Sequence, residues 1–252
     1  MDTFGTMATC KNCDASLSGP FCAACGQKAD TRRISWAWLG HELQHSLFHV
    51  DKGLWLTLRE LLTRPGHAIR EFLEGQRVRR FKPFATLIVL ATVYSLLYRW
   101  MGPDTAFMIR DEGSRKVMEV MNKLMGQYYA LLELATLPGL AFFSWLWMRK
   151  YGHNFVEHLV IQAYITAQRI AVSTLFLPLN VIGAKAYLLG TGILSVAYMA
   201  GYLITFAQLY ANRPAERVVL RSFAALSSFV LTLLVLSLIG GVIAVLAMRA
   251  SG

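Results

Sequence analysis

Two groups of residues in this sequence could do chemistry. The first is a set of four cysteines, Cys10, Cys13, Cys22 and Cys25, which read C-x2-C, eight residues, then C-x2-C-G. Two close pairs can wrap one tetrahedral Zn2+, with the chain between them folded into two small turns. Gly26 follows the second pair, where a tight turn needs backbone freedom. Two disulfides are an alternative, and so is a redox C-x2-C, although no βαβ pattern stands nearby. The spacing favours a structural zinc ribbon. A four-cysteine site is coordinatively closed, so it is expected to be structural rather than catalytic. Thiolate ligation implies a reducing compartment, which places this end of the chain in the cytoplasm.

The second group is "HELQHSLFHVD", His41 to Asp51, which holds three of the six histidines. His41-Glu42-Leu43-Gln44-His45 matches the zinc-protease pattern H-E-x-x-H. At about 100° per helical residue, His41, His45 and His49 fall within about 80° of one another, opposite a stripe of Leu39, Leu43 and Leu47. Glu42 sits where such a glutamate reaches a metal-bound water. A third ligand is harder to find. His49 lies about 12 Å along the axis from His41, too far for one ion on a rigid helix. Asp51 could fold back, or cap the helix that follows. Glu157 and His158 would lie in the same layer if the third membrane span starts there. The candidate ligands or catalytic groups are therefore His45, His49, Asp51, Glu157 and His158, with the His41/His45 pair as second choice. A solvated or headgroup-facing helix side and a structural His–carboxylate network are the competing readings.

Which reading holds depends on the elements that carry these residues. The chain is 55% hydrophobic and only 16% charged, against about 25% charged in soluble domains. Mean hydropathy is +0.43. Five segments are long and apolar enough to cross about 30 Å of hydrocarbon: residues 83–100, 128–148, 159–182, 186–209 and 223–248. The first 35 residues hold four cysteines and no long apolar run, so no signal peptide is expected. The net charge of +10 fits basic flanks facing anionic lipid. Those flanks are "RVRRFK" (Arg77–Lys82), "MRK" (Met148–Lys150) and "NRPAERVVLR" (Asn212–Arg221). All three share one side if the first span runs outward, giving a cytoplasmic N terminus and a periplasmic C terminus.

Between ribbon and first span, three short amphipathic patterns, Ile34–His49, Leu54–Leu62 and Gly66–Glu74, predict helices on the membrane surface or on the bundle. The apolar stripe of the second reads Trp55, Leu58, Leu61 and Leu62. "RKVMEVMNKLMGQ", Arg115 to Gln127, predicts a helix lying in the outer interface. Arg169, ten residues into the third span, needs a partner, and Glu133 in the second span reaches the same depth. Pro138 and Pro178 interrupt their spans. Ala197/Gly201 and Ser237/Gly241 have the small-x-x-x-small spacing that serves bundle packing or a dimer, so a homo-oligomer stays open. Only Lys11 lies between the first and last cysteine, so a nucleic-acid surface is not supported.

The stretches "CKNCDASLSGPFCAACGQ", "FHVDKGLWLTLRELLTRPGHAIREFLEGQRVRRFKPF" and "NFVEHLVIQAY" together resemble a family of bacterial membrane proteins known only as a domain of unknown function. The resemblance covers nearly the whole chain. It is most specific in Thr57–Val78 and in Glu157-His158. It implies an N-terminal zinc ribbon with several membrane spans, and it supplies no activity, substrate or catalytic residue.

The sequence thus predicts an all-α membrane protein. Residues 1–30 form a cytoplasmic zinc ribbon with one structural Zn2+, 31–82 a layer of amphipathic helices, and 83–252 a five-span bundle in a bacterial inner membrane. Expected partners are membrane lipids and a protein at the cytoplasmic face. The leading function is a platform for such a partner. A metal-dependent hydrolase of lipid or lipid-linked substrate, with a second metal, and a transporter built around Arg169 and Glu133 are the alternatives.

Overall fold

The computed structural model describes residues 9–45, 53–102 and 111–250. Its helices are α1 (Trp36–His45), α2 (Gly53–Thr63), α3 (Pro65–Glu74), α4 (Pro83–Met101), α5 (Glu112–Met148), α6 (Phe155–Phe176), α7 (Leu179–Ile182), α8 (Ala184–Leu209) and α9 (Ala215–Ala250). No strand occurs among the described residues; the only β pairing there is two isolated bridges in the cysteine region, Thr9–Ser16 and Phe21–Lys28. The fold is all-α, and five helices are long and apolar enough to cross a membrane. This is the architecture of a multipass membrane protein.

Local chemistry sets the helix ends. Pro83 opens α4 and Pro65 opens α3, where a missing N–H costs nothing. α6 begins with a capping box: the Asn154 side chain accepts from the Glu157 N–H, and the Glu157 carboxylate accepts from the Asn154 N–H. α6 is the most deeply buried helix, unbroken from Val156 to Ala167, and packs on α4, α5 and α8. α9 covers α5 and α8.

The short helices do not float on a surface. α2 and α3 form a hairpin that wedges against α6 and α8. Phe72 packs edge-on to Tyr164, with centroids 5.4 Å apart, and the Tyr164 hydroxyl donates to the carbonyl of Phe81 at 2.8 Å. Gly66 fits against α8 because it has no side chain: a Cβ there would lie 2.2 Å from the carbonyl oxygen of Thr205.

The apolar stripe of α2 is divided: Leu61 is buried in the bundle, Trp55, 77% exposed, and Leu62 face outward, and Thr57 and Glu60 are buried. The polar pair faces inward because its partners lie inward, the Thr57 hydroxyl accepting from the Phe81 N–H at 2.8 Å. The helix expected from Arg115 is not a separate interfacial element. It is the first part of α5, whose 37 residues reach about 55 Å, well beyond the hydrocarbon thickness. Pro138 sits inside that helix without ending it. Pro178 does end one: α6 stops at Phe176, and a turn leads into α7.

The ends of the spans next to the cysteine region carry the three basic clusters. Arg213 and Arg221 both lie over the Tyr151 ring, at 5.5 and 4.8 Å, so the loop between α8 and α9 meets the turn between α5 and α6.

Candidate metal centre and its supporting layer

Each cysteine pair closes a tight turn by the same backbone bonds. In the first, Asp14 N donates to the Cys10 carbonyl and Cys10 N to that of Ala15, both at 2.9 Å. In the second, Gly26 N donates to the Cys22 carbonyl and Cys22 N to that of Gln27, both at 2.8 Å. The equivalent residues Asp14 and Gly26 both take the left-handed conformation, at φ 59° and 74°. Glycine does so freely, and aspartate is among the few side chains that tolerate it.

The turns face each other and bring four sulfurs within 4.8 Å of one another. Cys10 and Cys25 are 3.6 Å apart, as are Cys13 and Cys22. A disulfide needs about 2.05 Å, and all four thiols are free. Ligands about 2.3 Å from one tetrahedral ion would stand about 3.8 Å apart, close to what is observed. The thiols also feel each other. The backbone N–H of Cys25, then that of Ala24, draws the Cys22 thiol down to about 7. The Ala15 N–H favours the Cys13 thiolate, but the neighbouring sulfurs crowd it and push that thiol up to about 12. Four thiolates this close repel one another unless a cation sits between them. The donor set therefore fits a soft, tetrahedral metal ion.

Single polar residues fix the site to the layer beneath. Gln27 is buried, and its side-chain oxygen accepts from the N–H groups of Arg77 (3.0 Å) and Val78 (3.4 Å). Asn12 accepts from Arg79 N at 3.3 Å, and Lys11 donates to the Thr31 carbonyl at 3.3 Å. Arg33, just after the ribbon, grips Glu157 through Nε at 2.9 Å and Nη2 at 2.8 Å. Sequence reasoning missed Gln27, Asn12 and Arg33, because an isolated polar residue carries no periodic signal.

Below the ribbon lies a charged network. Glu60 and Glu71 each take an ion pair from both Arg64 and Arg80. Arg80 is 3% exposed. Burial would raise the pKa of each carboxyl, but the hydrogen bonds from Arg64 and Arg80 outweigh it and hold both below the ordinary carboxylate range. Arg70 donates to the Leu209 carbonyl at 2.9 Å, and Gly66 N donates to the Gln208 side chain at 3.0 Å. The Arg70 cation thus meets the carbonyl end of α8, where the helix dipole is negative.

Residues 51–95 match the model of a family described as a protein of unknown function (DUF3667). No curated protein and no solved structure matches the chain. The matched segment is the α2–α3 hairpin, the basic arm and the first part of α4. It holds Thr57–Val78, the stretch singled out from the sequence, but neither the cysteines nor Glu157-His158. In this segment Thr57, Glu60, Arg64, Gly66, Arg70, Glu71 and Arg80 all join helix to helix or helix to arm. Those seven residues hold the layer together.

The histidine and carboxylate candidates are not brought together where they are described. His49, Asp51 and the side chain of His45 lie outside the described residues. His41 is exposed on α1, beside the groove between ribbon and helix that Trp38 and Arg77 also line. Both Glu157 oxygens are taken by Arg33 and the Asn154 cap. His158 is fully buried, with Nδ1 3.0 Å from the Ser144 hydroxyl. Its neighbour His153, which sequence reasoning passed over, sits 3.0 Å from the Tyr210 hydroxyl, and burial lowers its pKa. Among the described residues the four cysteines are the one group of three or more metal-capable side chains that converge. Deeper in the bundle, Arg169 pairs with Glu133 and lies 5.8 Å from the Tyr198 ring.

Proposed function

We propose that this chain is a membrane-anchored zinc platform. The ribbon, loaded with one structural Zn2+ by Cys10, Cys13, Cys22 and Cys25, forms with α1–α3 a rigid cytoplasmic face on a bacterial inner membrane, and that face binds anionic lipid or a protein partner. The observation that carries this reading is the attachment. Gln27, Asn12 and Arg33 tie the ribbon to the arm before α4 and to the cap of α6, so a metal-ordered knot is built into the bundle rather than hung from a linker. Zinc supplies folding free energy there and no reaction, since four sulfurs leave no open position.

The charge pattern supports lipid as the first partner. Exposed Arg59, Arg79, Arg149 and Lys150 ring this end, and the exposed Trp55 stands among them. Basic residues near an anionic leaflet contribute about 1 kcal/mol each, and tryptophan favours the headgroup level. The arrangement also fits the N-in, C-out orientation of the positive-inside rule.

The test uses the full chain in nanodiscs of mixed phosphatidylcholine and phosphatidylglycerol. Co-purified lipid should be enriched in phosphatidylglycerol. Arg59→Gln/Arg79→Gln should remove most of the enrichment without loss of fold. Equal lipid composition in wild type and variant, together with an N terminus outside the cytoplasm, would overturn the reading.

A further inference from the structure

A cavity of about 320 Å3 lies between α6 and α8, within the membrane-spanning part and apart from the ribbon layer. That is the low end of the size range of small-molecule sites. It runs from Gln162 to Val172 along α6, about 15 Å at the helical rise, and its walls are mainly apolar. Gly201 keeps one wall open: a Cβ there would rest 3.7 Å from the Gln168 amide, an ordinary contact, so bulk beyond it would enter the cavity.

The end nearer the ribbon holds an unsatisfied polar pair, while Gln168, Arg169, Ser195 and Tyr198 add polar groups farther along the wall. Gln162 is fully buried, and its Nε2 donates to the Tyr202 hydroxyl at 3.3 Å. Its Oε1 is buried with no hydrogen-bond partner. The Tyr202 hydroxyl, having accepted from the amide, still has its own hydrogen to give. Turning the amide over exchanges the roles but again leaves one donor and one acceptor. Unpaired buried polar groups are costly, more so where water is excluded. A hydroxyl satisfies both at once, donating to Gln162 and accepting from Tyr202. The charge in the cavity wall is already spent: Arg169 is paired with Glu133. An anionic head would have to break that pair, whereas a neutral head leaves it intact.

We propose that this cavity binds a neutral lipid with a free hydroxyl, of which diacylglycerol is the simplest. Gln162 and Tyr202 hold the hydroxyl, and an acyl chain lies along α6 toward Val172. The polar end stands seven residues inside both the start of α6 and the end of α8, about 10 Å below the ribbon-side ends of these helices. This is the depth at which a hydroxyl just under the headgroups would enter.

The experiment is equilibrium binding of radiolabelled dioctanoylglycerol to the full chain in phosphatidylcholine nanodiscs. Saturable binding at one site per chain is expected. Trioctanoylglycerol, which lacks the hydroxyl, and dioctanoyl phosphatidic acid, which carries a charge, should compete at least tenfold more weakly. Gln162→Leu and Tyr202→Phe should each weaken binding by about tenfold, the scale of one buried hydrogen bond. Gly201→Leu should block the site, and Gly201→Ala, whose Cβ fits, should weaken it less while keeping the wild-type melting temperature. Non-saturable uptake, equal competition by either analogue, or wild-type affinity in Gln162→Leu with the fold intact would each overturn the proposal. The ribbon takes no part in this test, so its outcome is independent of the platform reading.

Discussion

Two of the sets of ion pairs in this protein do different things. In the layer under the ribbon, Glu60 and Glu71 share Arg64 and Arg80, two acids against two bases with every charge doubly partnered. In the bundle, Arg169 has Glu133 alone, at the side of a cavity. The layer network closes an arm onto a helical hairpin, and removing any member strands two others. The bundle pair joins α5 to α6, which already pack along their length. The first set is architectural and belongs to the segment that matches a family model. The second trims the polarity of a site. Ion pairs earn their effect from what they connect, not from depth alone.

The largest break in the comparison is expected at Arg80. Arg80→Met would leave Glu60 and Glu71 to share Arg64, stranding buried charge at a cost of about 3–5 kcal/mol. Hydrogen exchange should show α2, α3 and residues 76–82 opened, while α5, α6 and α8 keep their protection. Unchanged protection in α2 and α3 would mean that the network does not hold the layer. Gly66→Ala comes next, because its Cβ must push into the α8 backbone. An overpacking cost of about 1–3 kcal/mol is expected, read as a fall in melting temperature. Glu133→Gln should cost less, about 0.5–1.5 kcal/mol, since polar groups within membranes also find partners when a bundle loosens.

The smallest and most graded effect is that of pH. Glu60 and Glu71 have folded pKa values below their unfolded ones. Their stabilisation is therefore present above the unfolded value of about 4.3 and lost as pH falls through the folded values. His153, buried and lowered, acts in the same direction but earlier, from about 6.5 downward. Near-UV circular dichroism should show a slight loosening below pH 6.5 and a larger one below pH 4. Tyr210→Phe should remove the bond to His153 without moving the lower transition. A layer that loosens on raising pH from 7 to 9 would contradict these assignments.

Much of this was legible in the sequence, for identifiable reasons. The five spans show as long, mainly apolar runs with basic flanks. The cysteine spacing states its own geometry, and Arg169 with Glu133 followed from depth matching in adjacent helices. What stayed hidden was long-range pairing between single polar residues. Gly66 meets Gln208, and Arg33 meets Glu157, across more than a hundred residues of chain. Thr57 and Glu60 face inward against their helix's apolar pattern because Phe81 and Arg80 wait there. The continuity of α5 was missed because its pattern changes from amphipathic to uniformly apolar while the backbone goes on unbroken. The histidine stretch was conspicuous by residue type, yet the described part of it shows His41 on an exposed face, with Glu157 and His158 engaged elsewhere.

The central proposal is that Cys10, Cys13, Cys22 and Cys25 form one closed tetrathiolate zinc site, the one converging group of metal-capable side chains among the described residues. It is tested most directly by metal analysis of the purified protein combined with zinc-edge X-ray absorption. One zinc per chain is expected, with four sulfur neighbours at about 2.3 Å and no nitrogen, and Cys22→Ser should lower the zinc content while α6 and α8 stay folded. Two zinc ions per chain, imidazole nitrogen in the first shell, or cysteines recovered as disulfides from protein kept reduced would contradict it.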